Sequence, residues 1–127
     1  MNINHACLVC LGSNKEGKFH LDNAQQALIR SFHEVQLGKV VVTKAEGTIV
    51  QSDYLNQAAR FQTDMCREEV ELLLKQIETD NGRTPEDKQR GSVPLDIDLL
   101  VFDENIIRPN DLKKEYVQLA LSSLPRR

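Results

Sequence analysis

The segment Leu95-Asp96-Ile97-Asp98-Leu99-Leu100-Val101-Phe102 decides how this chain is read. Side chains on a strand alternate between two faces, so Leu95, Ile97, Leu99 and Val101 are expected on one, and Asp96 and Asp98 on the other. The apolar set is what packed helices require. The two carboxylates then stand together on the open face, their Cα atoms roughly 6–7 Å apart. Like charges that close repel unless a cation lies between them. A hard divalent cation such as Mg²⁺ accepts one or two carboxylates and fills its shell with water and phosphate oxygens. The D-x-D spacing alone fits a cation site and a solvated strand face equally well.

Working outward, a charged stretch from Arg83 to Ser92 precedes this strand and reads as a loop. Arg83, Lys88 and Arg90 in it could meet phosphates, or the loop could simply be solvated surface. Before it lies the clearest helix. Acidic residues in Cys66-Arg67-Glu68-Glu69 suit a first turn, Val70, Leu73, Leu74 and Ile77 line one face, and Asn81-Gly82 stops it. Further back, Ala6 to Leu11 is an apolar strand ended by Gly12-Ser13-Asn14. Leu21, Ala24, Leu28 and Phe32 recur at helical spacing. Lys39 to Thr43 and Tyr54 to Gln62 are strand-like, with a loop from Ala45 to Ser52 around Gly47. A short apolar stretch follows at Ile106-Ile107, and Leu112 to Leu121 is expected to form a short helix. The succession β-α-β-β-α-β predicts an α+β, ferredoxin-like domain over residues 1–127, an antiparallel sheet with two helices on one face.

The 127 residues, 40% hydrophobic and 28% charged, suit one globular domain and not a disordered chain. A net charge of −3 supplies no field to recruit nucleic acid. No run is long enough to cross a bilayer and no leader is recognisable, so the expected place is the cytoplasm and the expected state a monomer. Cys7 and Cys10 form a C-x-x-C, but residues three apart on a strand point to opposite faces, which favours buried thiols over a metal or redox pair.

Gly12-Ser13-Asn14, Tyr54-Leu55-Asn56, Ile77-Glu78 before Gly82-Arg83, and Leu95-Asp96-Ile97-Asp98-Leu99-Leu100 with Phe102 occur in one order and spacing. Together they resemble the hydroxymethyl-dihydropterin pyrophosphokinase family of folate biosynthesis, from about Ala6 to Ile107. The resemblance implies a pyrophosphoryl transfer from ATP to a pterin hydroxymethyl group, with release of AMP. It implies Mg²⁺ held by Asp96 and Asp98, which with Arg83 form the catalytic set. Tyr54, Asn56 and Thr43 would meet the pterin, while Glu78 and Arg83 would meet the nucleotide. The pattern departs at Pro85 and Arg90, where the family has arginine and tryptophan, and at Gly91-Ser92-Val93-Pro94, where an arginine is lost. Lys44 and Ala45 stand where it has prolines, and its C-terminal stretch is missing beyond Arg108. Arg90, or Arg126 and Arg127, are the candidates to replace the lost cations. A non-catalytic nucleotide- or pterin-binding relative, or a bare interaction domain, are the alternatives.

Overall fold

The computed structural model describes residues 4–44 and 53–125. The elements are β1 (His5–Ser13), α1 (Gly17–Ser31), β2 (His33–Thr43), β3 (Tyr54–Thr63), α2 (Arg67–Asp80), α3 (Asp87–Arg90), β4 (Asp96–Phe102), β5 (Asn105–Ile106), α4 (Pro109–Leu112) and α5 (Glu115–Ser122). The strands form one sheet, ordered β2-β3-β1-β4-β5, and every neighbouring pair is antiparallel. This is the expected ferredoxin-like arrangement with a two-residue strand added at one edge. The loop expected from Ala45 to Ser52, with Gly47, lies outside the described residues.

One face carries the main core. Leu21, Ala24 and Leu28 of α1 and Val70, Leu74 and Ile77 of α2 cluster with Val9, Leu11, Phe61, Leu95, Ile97 and Leu99 of the sheet. Burying each of the larger side chains stabilises the fold by about 1.5–3 kcal/mol. Phe32, just past α1, stacks on Phe61 with ring centroids 3.8 Å apart. The Cys66 amide opens α2 by donating to Glu69 Oε1 at 3.1 Å, and Gly82, with φ at 89°, takes the left-handed turn beyond its end. No side chain caps α1, whose N-cap Glu16 has φ at 47°. Its start at Gly17 therefore precedes the first periodic residue, Leu21.

Five expectations need correction. Val101 does not share the face of Leu95, Ile97 and Leu99. The β1–β4 register shifts between Leu8, opposite Val101, and Val9, opposite Leu99, leaving Leu100 as the extra residue of a bulge. Leu100 is buried with Cys10 and Val117, and Val101 packs against that second cluster. Nor is the second sheet face fully open, because α5 packs there against β2 and β3. β2 also starts at His33, six residues before the expected Lys39, and its pairing with β3 shifts on both sides of Gln36-Leu37. A Cβ on Gly38 would lie 2.5 Å from Ser123 Oγ and 3.1 Å from the Ala120 carbonyl, so this glycine lets α5 cross the strand closely. Finally, Arg83–Ser92 is not all loop, and the expected C-terminal helix is two, α4 opening on Pro109 and α5 following. Cys7 and Cys10 fall into separate clusters on the two faces, as strand alternation predicts.

Candidate active site

Asp96 and Asp98 leave β4 on the face that α5 covers only in part, and their side chains retain 25% and 30% exposure. They line two cavities at once. One, of about 460 Å³, lies on their own face beside Gly12, Asn14, Thr43, Tyr54 and Asn56, with Asp111, Tyr116 and Val117 as its far wall. The other, of about 430 Å³, lies between β4 and α2 and is lined by Arg67, Lys75, Glu78, Arg83, Ile97 and Arg108. β5 pairs with β4 only at Val101 and Phe102, so the strand edge at Ile97 is left to other partners.

Glu78 takes that edge. Its Oε2 accepts the Ile97 amide at 2.7 Å, fastening the end of α2 to the residue between the two aspartates. Only 8% of Glu78 is exposed, and burial raises its pKa above the usual carboxylate value. Arg83 is the neighbouring cation. Its Nη1 donates to the Leu95 carbonyl at 3.0 Å and to Asp96 Oδ1 at 3.2 Å, while Asp87 lies 3.6 Å from its Nε. Asp87 in turn accepts the Thr84 amide and hydroxyl, each at 2.7 Å, which ties the start of this segment down. Arg83 and Glu78 thus both lie beside the acids. Arg90 is exposed, and the Lys88 side chain and Arg126–Arg127 lie outside the described set.

The acid pair is not bare, since Asp96 pairs with Arg83 and Asp98 lies 3.8 Å from Arg108 Nη1. Within this ion-paired network the acids are Glu78, Asp87, Asp96, Asp98 and Asp111, and the cations Arg83, Arg108 and Lys114. Burial, and next the Asp96 charge, push Asp98 up to about 6. A carboxyl raised above its unfolded value of about 3.9 favours folding at low pH, and that contribution is lost as pH rises through its folded value. We therefore expect Asp98→Asn to stabilise the metal-free chain by about 1–2 kcal/mol at pH 7. At pH 4.5 most of that advantage should be gone. Denaturant melts of both proteins at the two pH values check this, and a pH-independent difference contradicts it.

Among the described residues no group of three or more His, Cys, Asp or Glu side chains is placed to hold a metal ion. Two hard oxygen donors are instead what Mg²⁺ takes from protein when phosphates and water complete its shell, so the pair fits such an ion.

Across the sheet, β2 and β3 bring Thr43, Tyr54 and Asn56 together, with Thr43 opposite Tyr54 and Val41 opposite Asn56. The Asn56 Nδ2 donates to the Val41 carbonyl at 3.1 Å and to Thr43 Oγ1 at 3.2 Å, which fixes the amide plane. Burial, ahead of the Asp96 charge, raises the Tyr54 pKa and keeps the phenol neutral. The sequence motif Gly12-Ser13-Asn14 acquires roles that it did not announce. A Cβ on Gly12 would sit 2.5 Å from the Tyr54 ring, so the absent side chain is the space that the ring occupies. Asn14 clips the approach to β4. Its Nδ2 donates to the Gly91 carbonyl at 2.8 Å, and its Oδ1 accepts the Val93 amide at 2.6 Å. Asp111, Tyr116 and Arg108 were not anticipated either. They come from the C-terminal helices and the turn before them, which pattern alone could not dock. Cys10 also lines the first cavity, but burial and Asp98 push its thiol up to about 12, which disfavours a reactive thiolate.

A ferredoxin-like domain with an acid pair between two adjoining cavities is suited to holding two small molecules against one cation. Comparison with known proteins narrows this class. A family model described as 7,8-dihydro-6-hydroxymethylpterin-pyrophosphokinase (HPPK) matches residues 8–126, and the chain belongs to that family. It is 29% identical over 104 residues to a curated relative, the 2-amino-4-hydroxy-6-hydroxymethyldihydropteridine pyrophosphokinase of Aquifex aeolicus (strain VF5). That match takes in 81% of this chain and 64% of the relative, so the chain spans less than two thirds of the relative's length. Among solved structures, the de novo designed protein Foldit4 superposes with a TM-score of 0.40 at 13% identity, over 78% of this chain and 98% of that one. So loose a likeness bears on neither fold nor function.

Proposed function

We propose that this chain transfers a pyrophosphoryl group from ATP to hydroxymethyl-dihydropterin, releasing AMP, as a Mg²⁺-dependent step of folate biosynthesis. The observation that carries the reading is the acid pair Asp96–Asp98 at the junction of the two cavities, in a chain of this family. The pterin occupies the cavity walled by Tyr54, Asn56 and Thr43, where an aromatic ring and polar groups suit a flat, hydrogen-bonding heterocycle. The nucleotide lies in the cavity beside α2, with Glu78 at its wall and Arg83 turned toward the phosphates.

In the reaction the pterin hydroxyl oxygen forms a bond to the β-phosphorus, and the bond from that phosphorus to the α,β-bridging oxygen breaks. AMP leaves with the bridging oxygen, and the hydroxyl proton passes to solvent. Mg²⁺, when bound, neutralises charge on the phosphate oxygens. The chain's own work is positioning. Asp96 and Asp98 would hold the ion where the two cavities meet, Glu78 holds β4 against α2, and Arg83 meets charge that builds during transfer. The expected state is a monomer, and the free cysteines Cys7, Cys10 and Cys66 suit a reducing cytoplasm. Among the described residues no helix is long and apolar enough to cross a membrane.

Incubation with ATP, Mg²⁺ and hydroxymethyl-dihydropterin should yield AMP and the pyrophosphorylated pterin. Thermal stabilisation by Mg²⁺-ATP without AMP would favour the non-catalytic binding relative instead, and neither would leave an interaction domain. Gly12→Ala offers a second test. Its methyl must displace the Tyr54 ring, so KM for the pterin should rise about tenfold, close to 1.4 kcal/mol, with KM for ATP little changed. An unchanged pterin KM would remove Tyr54 from the proposed site.

A further inference from the structure

The two guanidinium groups beside the acid pair are held in different ways. Arg83 is tethered. It donates to the Leu95 carbonyl, is flanked by Glu78, Asp87 and Asp96, and its side chain is only 17% exposed. Arg108 is at the N-cap of α4, where its Nε donates to the Asp111 carboxylate and its Nη1 reaches Asp98 only at 3.8 Å. Its side chain is 45% exposed and lines the cavity between β4 and α2. Asp111 is itself fixed from the other side by Lys114 at 2.9 Å, so the anchor stays put if Arg108 lets go of Asp98. Arg108 thus faces one firm acid, one looser acid, and a cavity of about 430 Å³ that Arg67, Lys75, Glu78 and Arg83 also line.

We infer that Arg108 exchanges partners, serving as the counter-ion of Asp98 in the ligand-free chain and as a phosphate contact once a divalent cation takes the acid pair. The inference rests on the function proposed above and extends it to a residue outside the quoted motifs. A cation bound by Asp98 competes for the same oxygens and repels the guanidinium. The guanidinium keeps Asp111 and turns its remaining N–H donors to the nearest anion, which in that cavity is the nucleotide. It thereby supplies a positive charge beside Asp98, whereas Arg83 lies beside Asp96.

Two titrations test this. In the first, Mn²⁺ is added to nucleotide-free protein and the free ion is followed by electron paramagnetic resonance. Removing a competing cation should make Arg108→Ala bind Mn²⁺ about 5- to 10-fold more tightly than the wild type. In the second, calorimetry with Mg²⁺-ATP should show about tenfold weaker binding to the same variant, the scale of one charge-assisted hydrogen bond. Arg108→Gln, which keeps a donor for Asp111 and so guards α4, should move both affinities in the same directions. Lys114→Ala touches Asp111 but not Asp98 and should leave Mn²⁺ affinity unchanged. Equal Mn²⁺ affinity in wild type and Arg108 variants overturns the exchange while leaving the proposed function standing. An equal gain in Lys114→Ala also overturns it, since the effect would then be net charge alone. No Mn²⁺ binding by the nucleotide-free wild type likewise overturns the exchange, and none in the presence of a non-hydrolysable ATP analogue overturns the proposed function as well.

Discussion

The double substitution Asp96→Asn, Asp98→Asn is expected to cut AMP formation by at least about 10³-fold while the domain stays folded. The size follows from the loss of preorganised electrostatic stabilisation, about 10²–10³ for one group, with the two aspartates acting on one ion and so not adding independently. Survival of the fold follows from their surroundings. Both side chains are partly exposed, and the apolar residues that anchor this edge of the sheet, Leu95 just before β4 and Ile97 and Leu99 within it, are untouched. Asparagine also removes the half-buried charge and the repulsion by Asp96 that together raise the Asp98 pKa. Arg83 loses one acid but keeps Asp87, Glu78 and the Leu95 carbonyl. Steady-state AMP release, with circular dichroism beside it, checks both halves. A folded variant with more than about a tenth of wild-type turnover would contradict the assignment of the pair.

Glu78→Ala is expected to be the most damaging single change near the site for stability. It deletes the acceptor of the Ile97 amide and one of the acids around Arg83. Leaving a buried donor and part of a buried charge unmatched costs about 2–4 kcal/mol. Glu78→Gln keeps a carbonyl oxygen for Ile97 and should cost about 1 kcal/mol or less. Urea unfolding of the two variants separates these cases. The ordering matters for function, because Ile97 lies between the two aspartates and the hydrogen bond its amide donates to Glu78 sets where they point. Equal stability of Ala and Gln variants would mean that Glu78 does not fasten β4.

The sequence made much of the fold legible for a physical reason. Alternation in Leu95 to Leu99 is enforced by burial on one face only, so the polar residues mark the other face and placed Asp96 and Asp98 correctly. The same reasoning failed at Val101 because Leu100, Val101 and Phe102 are all apolar. No polar residue there signals that the bulge has changed the side each one faces. Gly38 did carry a signal, a glycine inside a strand, but what it makes room for is α5, more than eighty residues on. Gly12 is similar. Its motif was readable, whereas the Tyr54 ring that fills its place is fixed by the β1–β3 register, in which Gly12 lies opposite Asn56. Arg108 and Asp111 could not be placed at all, since their contact with the site depends on where the turn before α4 docks, and no periodicity encodes that.

The most direct test is a crystal of the wild-type chain grown with Mn²⁺ and a non-hydrolysable ATP analogue, with the ion located by its anomalous scattering. We predict a peak within coordination distance, about 2.0–2.6 Å, of carboxylate oxygens from both Asp96 and Asp98 and of the analogue's phosphates. Nucleotide bound with no ion at that pair, or an ion held by other residues, would contradict the account.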